Sequence, residues 1–157
     1  MEHAKPPLSG RFLEYRLSIE VETSPERTID TLKHINTYHE WTDLLKLSGQ
    51  EPLLVGAEIQ VKISQRQKEE RFTAQVVLVE PFRFAARQLI LAPWFFQAIH
   101  FFEITPKDPD RVIFTQRWEL RGLLSKIFKR KIFETLSGFE QMNVDFKNHL
   151  ESHLIPS

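Results

Sequence analysis

From Ala57 to Arg121 the chain alternates apolar and polar residues with a period of two; beyond that, apolar residues recur at helical spacing. Consecutive strands followed by one helix leave few solutions. The simplest is a curved antiparallel sheet whose open face is covered by the terminal helix. Such an arrangement encloses a space unless side chains fill it.

The strands read as follows. Leu13, Tyr15, Leu17, Ile19 and Val21 share one phase, and Glu14, Arg16, Ser18, Glu20 and Glu22 the other, which predicts a strand with one wet face. Ser24-Pro25-Glu26 supplies an N-cap, a first-turn proline and an acid, so a short helix is expected from Pro25 to about His34. Asn36 is expected to cap a second one ending near Trp41. Leu44–Ser48 is read as the second strand. Ala57, Ile59, Val61 and Ile63 mark the third, and Gln65–Glu70 a hairpin loop. Phe72, Ala74, Val76 and Leu78 are taken as the inward phase of the fourth, with Val77 and Val79 blurring its end. Phe82–Leu91, Phe95–Thr105 and Arg111–Arg121 complete the sheet. Phe128, Ile132, Phe139, Met142, Phe146 and Leu150 then predict one helix over Ser125–Ser152, roughly 40 Å long at 1.5 Å per residue, with Gly138 inside it. The early part, near Lys129–Lys131, is a candidate for a separate turn. Residues 1–10 are read as a flexible arm and 11–154 as one domain.

Lys plus Arg number 21, equal to Asp plus Glu, so the chain carries no electrostatic footprint for nucleic acid. There is no Cys, which removes disulfides, thiol catalysis and thiolate metal sites. His34 and His39, and His149 and His153, lack a third ligand, and no glycine-rich phosphate loop or Gly-x-Ser-x-Gly turn occurs, so no metal or cofactor is expected. The first residues have no apolar run of signal-peptide type, and a cytoplasmic location is the expectation. Thirteen Phe and three Trp point to bulky, rigid walls: a packed core or an apolar cavity.

The inward rows of the last three strands each hold a strongly polar side chain: Gln88, His100 and Gln116. Turn centres at Trp94 and Asp108 would set Gln88 opposite His100 and His100 opposite Gln116, with Asn143 looking down from the helix. Three readings are open. The groups satisfy one another in a packed core; they orient the polar end of an apolar ligand; or His100 acts as a general base. The one acid near it in sequence, Glu103, has the opposite phase and should face water. Trp41 is either a cavity-mouth residue or a plug. The run Lys126–Phe133, with Lys126, Lys129, Arg130 and Lys131 interleaved with apolar residues, is either a solvated helix face or a surface for transient membrane contact. Trp94 and Phe95 could join it in a module that binds a partner.

Several motifs in order resemble one family. These are Ser24-Pro25-Glu26 after the first strand, Tyr38 and Trp41, Gly56, and Phe72-Thr73-Ala74-Gln75-Val76 with Glu80-Pro81. His100-Phe101-Phe102, Leu120-Arg121-Gly122-Leu123, and Phe139, Met142 and Asn143 complete the set. Over Leu13–Glu151 the chain resembles the START-like, helix-grip superfamily (SRPBCC), in its polyketide cyclase/dehydrase-like branch. The resemblance implies an α+β fold: a curved antiparallel sheet of about six to seven strands, two short helices after the first, and a long carboxy-terminal helix over a cavity. It implies a binding or carrier protein for an apolar small molecule such as a lipid, quinone or polyketide. The alternative is a cyclase or dehydratase using His100 as acid/base. Expected ligand-binding residues are Trp41, Phe72, Phe84, Gln88, His100, Phe102, Gln116, Trp118, Phe139 and Asn143. Where that branch often carries an acid, this chain has Trp118, which makes the pocket more apolar.

Overall fold

A computed structural model describes residues 12–152. The arm expected over residues 1–10 lies outside them, as does His153. The elements are β1 (Leu13–Val21), α1 (Pro25–Lys33), a 3-10 helix (Ile35–Glu40), β2 (Leu45–Gly49), β3 (Glu58–Gln65), β4 (Lys68–Glu80), β5 (Arg83–Ile90), β6 (Phe96–Asp108), β7 (Arg111–Arg121), α2 (Leu123–Ile127), α3 (Lys129–Ser137) and α4 (Glu140–Glu151). All strands join one antiparallel sheet in the order β1-β7-β6-β5-β4-β3-β2. Strands β2 to β7 form a meander, and β1 pairs with β7, from Leu13 opposite Leu120 to Val21 opposite Val112. The two short helices therefore carry the chain from one sheet edge to the other. Ser24 caps α1 as expected, its hydroxyl accepting from the Arg27 N–H at 3.2 Å.

Four local expectations are corrected. Asn36 does not cap an α-helix. Its side-chain amide donates to the Gly49 carbonyl at 2.9 Å and accepts from the Gly49 N–H at 3.1 Å, tying a 3-10 turn to the end of β2. The β3–β4 connection is a two-residue turn, not a six-residue loop. Arg66 and Gln67 both adopt positive φ (49° and 64°), which matches the twist of the flanking strands, so the ladder runs to Gln65 opposite Lys68. In β4 a bulge lies between Val76 and Leu78, so Val79 rather than Leu78 packs inward, opposite Phe84. The blurred phase in the sequence is that bulge.

The long terminal helix is also subdivided. It breaks at Phe128, and α3 passes into α4 through Gly138 and Phe139, which keep right-handed helical angles while their N–H groups bond three residues back, to Thr135 and Leu136. The glycine permits a close approach: a Cβ there would sit 2.5 Å from Gln65 Nε2, and that amide donates to the Thr135 carbonyl at 3.0 Å. Met142, Phe146 and Leu150 are fully buried from α4, and Tyr38, Phe84, Phe114 and Phe139 are among the buried aromatic residues of the core.

Candidate functional site

One cavity lies between the concave face of the sheet and the α2–α3 segment, with a volume of about 250 Å³. Leu45 and Leu47 (β2), Ile59, Val61 and Ile63 (β3), Phe72 and Ala74 (β4), Ala86 and Gln88 (β5), Phe96, Ala98, His100 and Phe102 (β6), and Trp118 and Leu120 (β7) form its sheet wall. Ile132, Thr135, Leu136 and Phe139 form the roof. Its exposed lining residues, Glu70, Phe128 and Lys131, mark the mouth. The space exists because three consecutive strands, β4, β5 and β6, each present an alanine inward: Ala74, Ala86 and Ala98.

His100 is the strongest polar feature of the wall. Its ring stacks against Phe102 (centroids 4.0 Å apart, 26°) and Trp118 (4.3 Å, 25°), and meets Phe139 edge-on at 5.7 Å. Only the ring's edge is left for polar contacts. Nε2 lies 2.9 Å from Gln116 Oε1. Gln116 Nε2 donates to Asn143 Oδ1 at 2.7 Å and, at a longer 3.5 Å, to the Phe139 carbonyl. A backbone carbonyl only accepts, so the amide nitrogen of Gln116 must face α4 and its oxygen must face the imidazole. That assignment places the ring proton on Nε2 and leaves Nδ1 as a bare acceptor, without a partner among the described residues. Burial pushes the His100 pKa down to about 3, against a smaller upward pull from the Gln116 hydrogen bond, so the ring is neutral at physiological pH. His100 is only partly exposed, and it lines the cavity.

No family model matches this sequence, and no curated protein does. Solved structures do match. The Zhui aromatase/cyclase from Streptomyces sp. R1128 superposes with a TM-score of 0.69 at 12% identity, covering 92% of this chain and 97% of that one. A START superfamily protein from Mycobacterium smegmatis gives 0.62 at 15%, covering 88% and 97%. Norcoclaurine synthase from Thalictrum flavum, in complex with dopamine and hydroxybenzaldehyde, gives 0.62 at 13%, covering 96% and 98%.

The chain has the helix-grip fold.

At these identities the likeness is one of fold, and function must come from the site. Within this helix-grip fold, Phe72, Gln88, His100, Phe102, Trp118 and Phe139 from the sequence reading line the cavity. Trp41, Phe84, Gln116 and Asn143 do not. Trp41 is a plug, packed on Tyr38 (4.8 Å) and Phe146 (4.9 Å) with its indole N–H unpaired. Phe84 stacks behind Phe102 at 4.5 Å. Gln116 and Asn143 are buried behind the wall, where they hold His100. The expected register is off by one turn position at each hairpin. Ala86 faces His100 and Ala98 faces Gln88; His100 faces Trp118 and Phe102 faces Gln116. The β5–β6 turn centres on Pro93, and an irregularity between Pro106 and Asp108 shifts the next one. Moving a turn centre by one residue moves each pair by two, so every side chain keeps its face. The His100–Gln116 contact survives as a diagonal, and Gln88 stands apart from it.

Of the lining residues missed in the sequence, Leu45, Leu47, Phe128 and Lys131 carried no distinctive signal, whereas Ala98 carried one, a small residue at an inward position. Glu103 does take the outward phase, but it does not face water. It lies buried between Arg117 (3.2 Å) and Arg83 (3.3 Å), and Arg117 also bonds Glu119 and stacks on Phe101 at 3.8 Å. Burial pushes the Glu103 carboxyl up, but hydrogen bonds and charge from Arg117 and then Arg83 outweigh it and hold the group below the usual carboxylate range. This network is on the convex face, across the sheet from His100. Among the described residues no group of three or more His, Asp and Glu side chains is placed to hold a metal, and no helix is long and apolar enough to cross a membrane.

Proposed function

We propose that the protein binds or carries a compact, largely apolar small molecule that offers a hydrogen-bond donor to His100 Nδ1. The carrying observation is that unpaired acceptor at the edge of a ring clamped inside an apolar wall. An acceptor without a partner on a residue that lines a cavity favours an O–H or N–H from the occupant. A volume of about 250 Å³ suits a small ring system and falls short of a two-chain lipid. Among lipid, quinone and polyketide-like ligands, hydroxylated aromatic or polyketide-like fragments fit best. Catalysis by His100 is the weaker reading. A base with a pKa near 3 takes up a proton poorly at neutral pH, and among the described residues no carboxylate orients it.

The test is native mass spectrometry of the purified protein with extraction of any bound molecule, followed by titration with a panel of small phenols read by Trp118 fluorescence. Saturable quenching is expected in the parent protein. Ala98→Phe, which fills the cavity from the middle of β6, should abolish it while leaving the circular dichroism spectrum intact. An empty protein that ignores the whole panel, or an Ala98→Phe variant that binds as well as the parent, refutes the proposal.

A further inference from the structure

The rim of the cavity mouth carries several exposed large apolar side chains. In the β5–β6 turn Leu91 is 78% exposed and Trp94 69%; in and after α2, Ile127 is 61% and Phe128 50% exposed. These two segments are fastened together: the Leu123 N–H donates to the Trp94 carbonyl and the Leu124 N–H to the Phe95 carbonyl, each at 2.9 Å. Gly122, at φ +95°, makes the joint possible, because a Cβ there would lie 2.5 Å from the Phe95 carbonyl oxygen. The patch is therefore fixed in shape. It is also continuous with the cavity, since Phe128 belongs to both.

Lys126, Lys129, Arg130 and Lys131 flank this patch, all exposed. None has a carboxylate partner among the described residues; Lys129 instead lies over the Phe133 ring at 5.7 Å. Several cations elsewhere are paired with carboxylates, as in Arg111 with Asp108 and Glu20, or Lys147 with Glu151. A chain of zero formal net charge thus sets four neighbouring cations beside this apolar rim. Two copies meeting through this face would bring those cations together, which disfavours self-association. An exposed indole, long aliphatic side chains and a cationic border together match the interfacial zone of a bilayer bearing anionic headgroups.

We propose that the β5–β6 turn and the α2–α3 segment dock on an anionic membrane surface, with the cavity mouth facing the bilayer. The proposal stands without any particular ligand, because docking is measured on the empty protein. Trp41 and Trp118 are buried, so a membrane-induced change in tryptophan emission reports Trp94. The experiment is sedimentation of the full chain with phosphatidylcholine vesicles, alone or with about one-third phosphatidylserine, in low and high salt. Binding to the anionic vesicles only, a blue shift of emission, and loss of both in high salt are expected. Lys126→Gln with Arg130→Gln should weaken partitioning about 25-fold, from roughly fivefold per cation removed. Trp94→Ala should abolish the blue shift, with thermal melts unchanged in both variants. Equal binding to both vesicle types, no binding to either, or a protein that dimerises through this face without lipid each overturns the proposal.

Discussion

Acidification should destabilise this protein through a single buried imidazole. An unfolded histidine titrates near 6.5, whereas burial holds His100 at about 3 in the fold. Between those values the unfolded chain binds a proton that the native one refuses, so stability rises with pH across the window. His100's contribution is complete above about pH 6.5 and is lost as pH falls toward 3. At about 1.4 kcal/mol per unit, the full span is on the order of 5 kcal/mol; about 2 kcal/mol is gone by pH 5 and about 3 by pH 4. Glu103, held below its ordinary range, loses stability in the same direction, so the parent curve alone does not isolate the imidazole. The comparison is with His100→Gln, which keeps a donor for Gln116 and cannot titrate. Urea midpoints at pH 7.5 and pH 5, read by far-ultraviolet circular dichroism, should fall more in the parent, by about 2 kcal/mol. A parent-minus-variant difference that stays flat across that range would falsify the picture of a neutral, enclosed ring. Ring nitrogen shifts by NMR add a second check, because an Nδ1 that carries the proton contradicts the assigned tautomer.

Gly122→Ala should cost more than Gly56→Ala. Both glycines sit at φ +95°, but a Cβ at Gly122 strikes the Phe95–Phe96 backbone, while Gly56 has open space around it. Losses of about 3 and about 1 kcal/mol are expected in denaturant melts, and equal losses would mean that the turn–helix joint yields. Arg117→Ala should destabilise by about 3–5 kcal/mol, because it strips a partner from the buried carboxylates of Glu103 and Glu119. The loss should shrink as pH is lowered through the Glu103 titration, since a protonated carboxyl tolerates burial; a loss that does not depend on pH would point to packing alone.

How much was legible follows from which interactions are local. The period-two runs of β1 and of β3 to β7 reflect one buried face per strand, and that face is written residue by residue, so the element order and the inward phase could be read directly. Ser24-Pro25-Glu26 capped α1 for the same reason, since a cap needs only its next three residues. Even the bulge near Val77 left its trace as a phase slip. Pair register was not legible. It hangs on where each hairpin turns, and Pro93 rather than Trp94 at one centre moved Gln88 two residues from His100 without changing any residue's face. The break between α3 and α4 was half legible: Gly138 flagged a close approach, but only the fold supplies Gln65 as the group approached.

The candidate site divides along the same line. Residue type and phase determined that His100, Phe72, Phe102 and Trp118 face inward from a sheet, and that the wall would be apolar. Which inward groups border a void and which lie behind it depends on how α3 and α4 sit over the sheet. Tertiary packing brought Gln116 of β7 against Asn143 of α4 as the clamp on the imidazole, buried Trp41 against Phe146, and left the alanines of β4, β5 and β6 uncovered. A chain encodes which side each residue faces because that depends on its neighbours in sequence. It cannot encode an empty volume in the same local way, because a void is the sum of side chains from elements far apart.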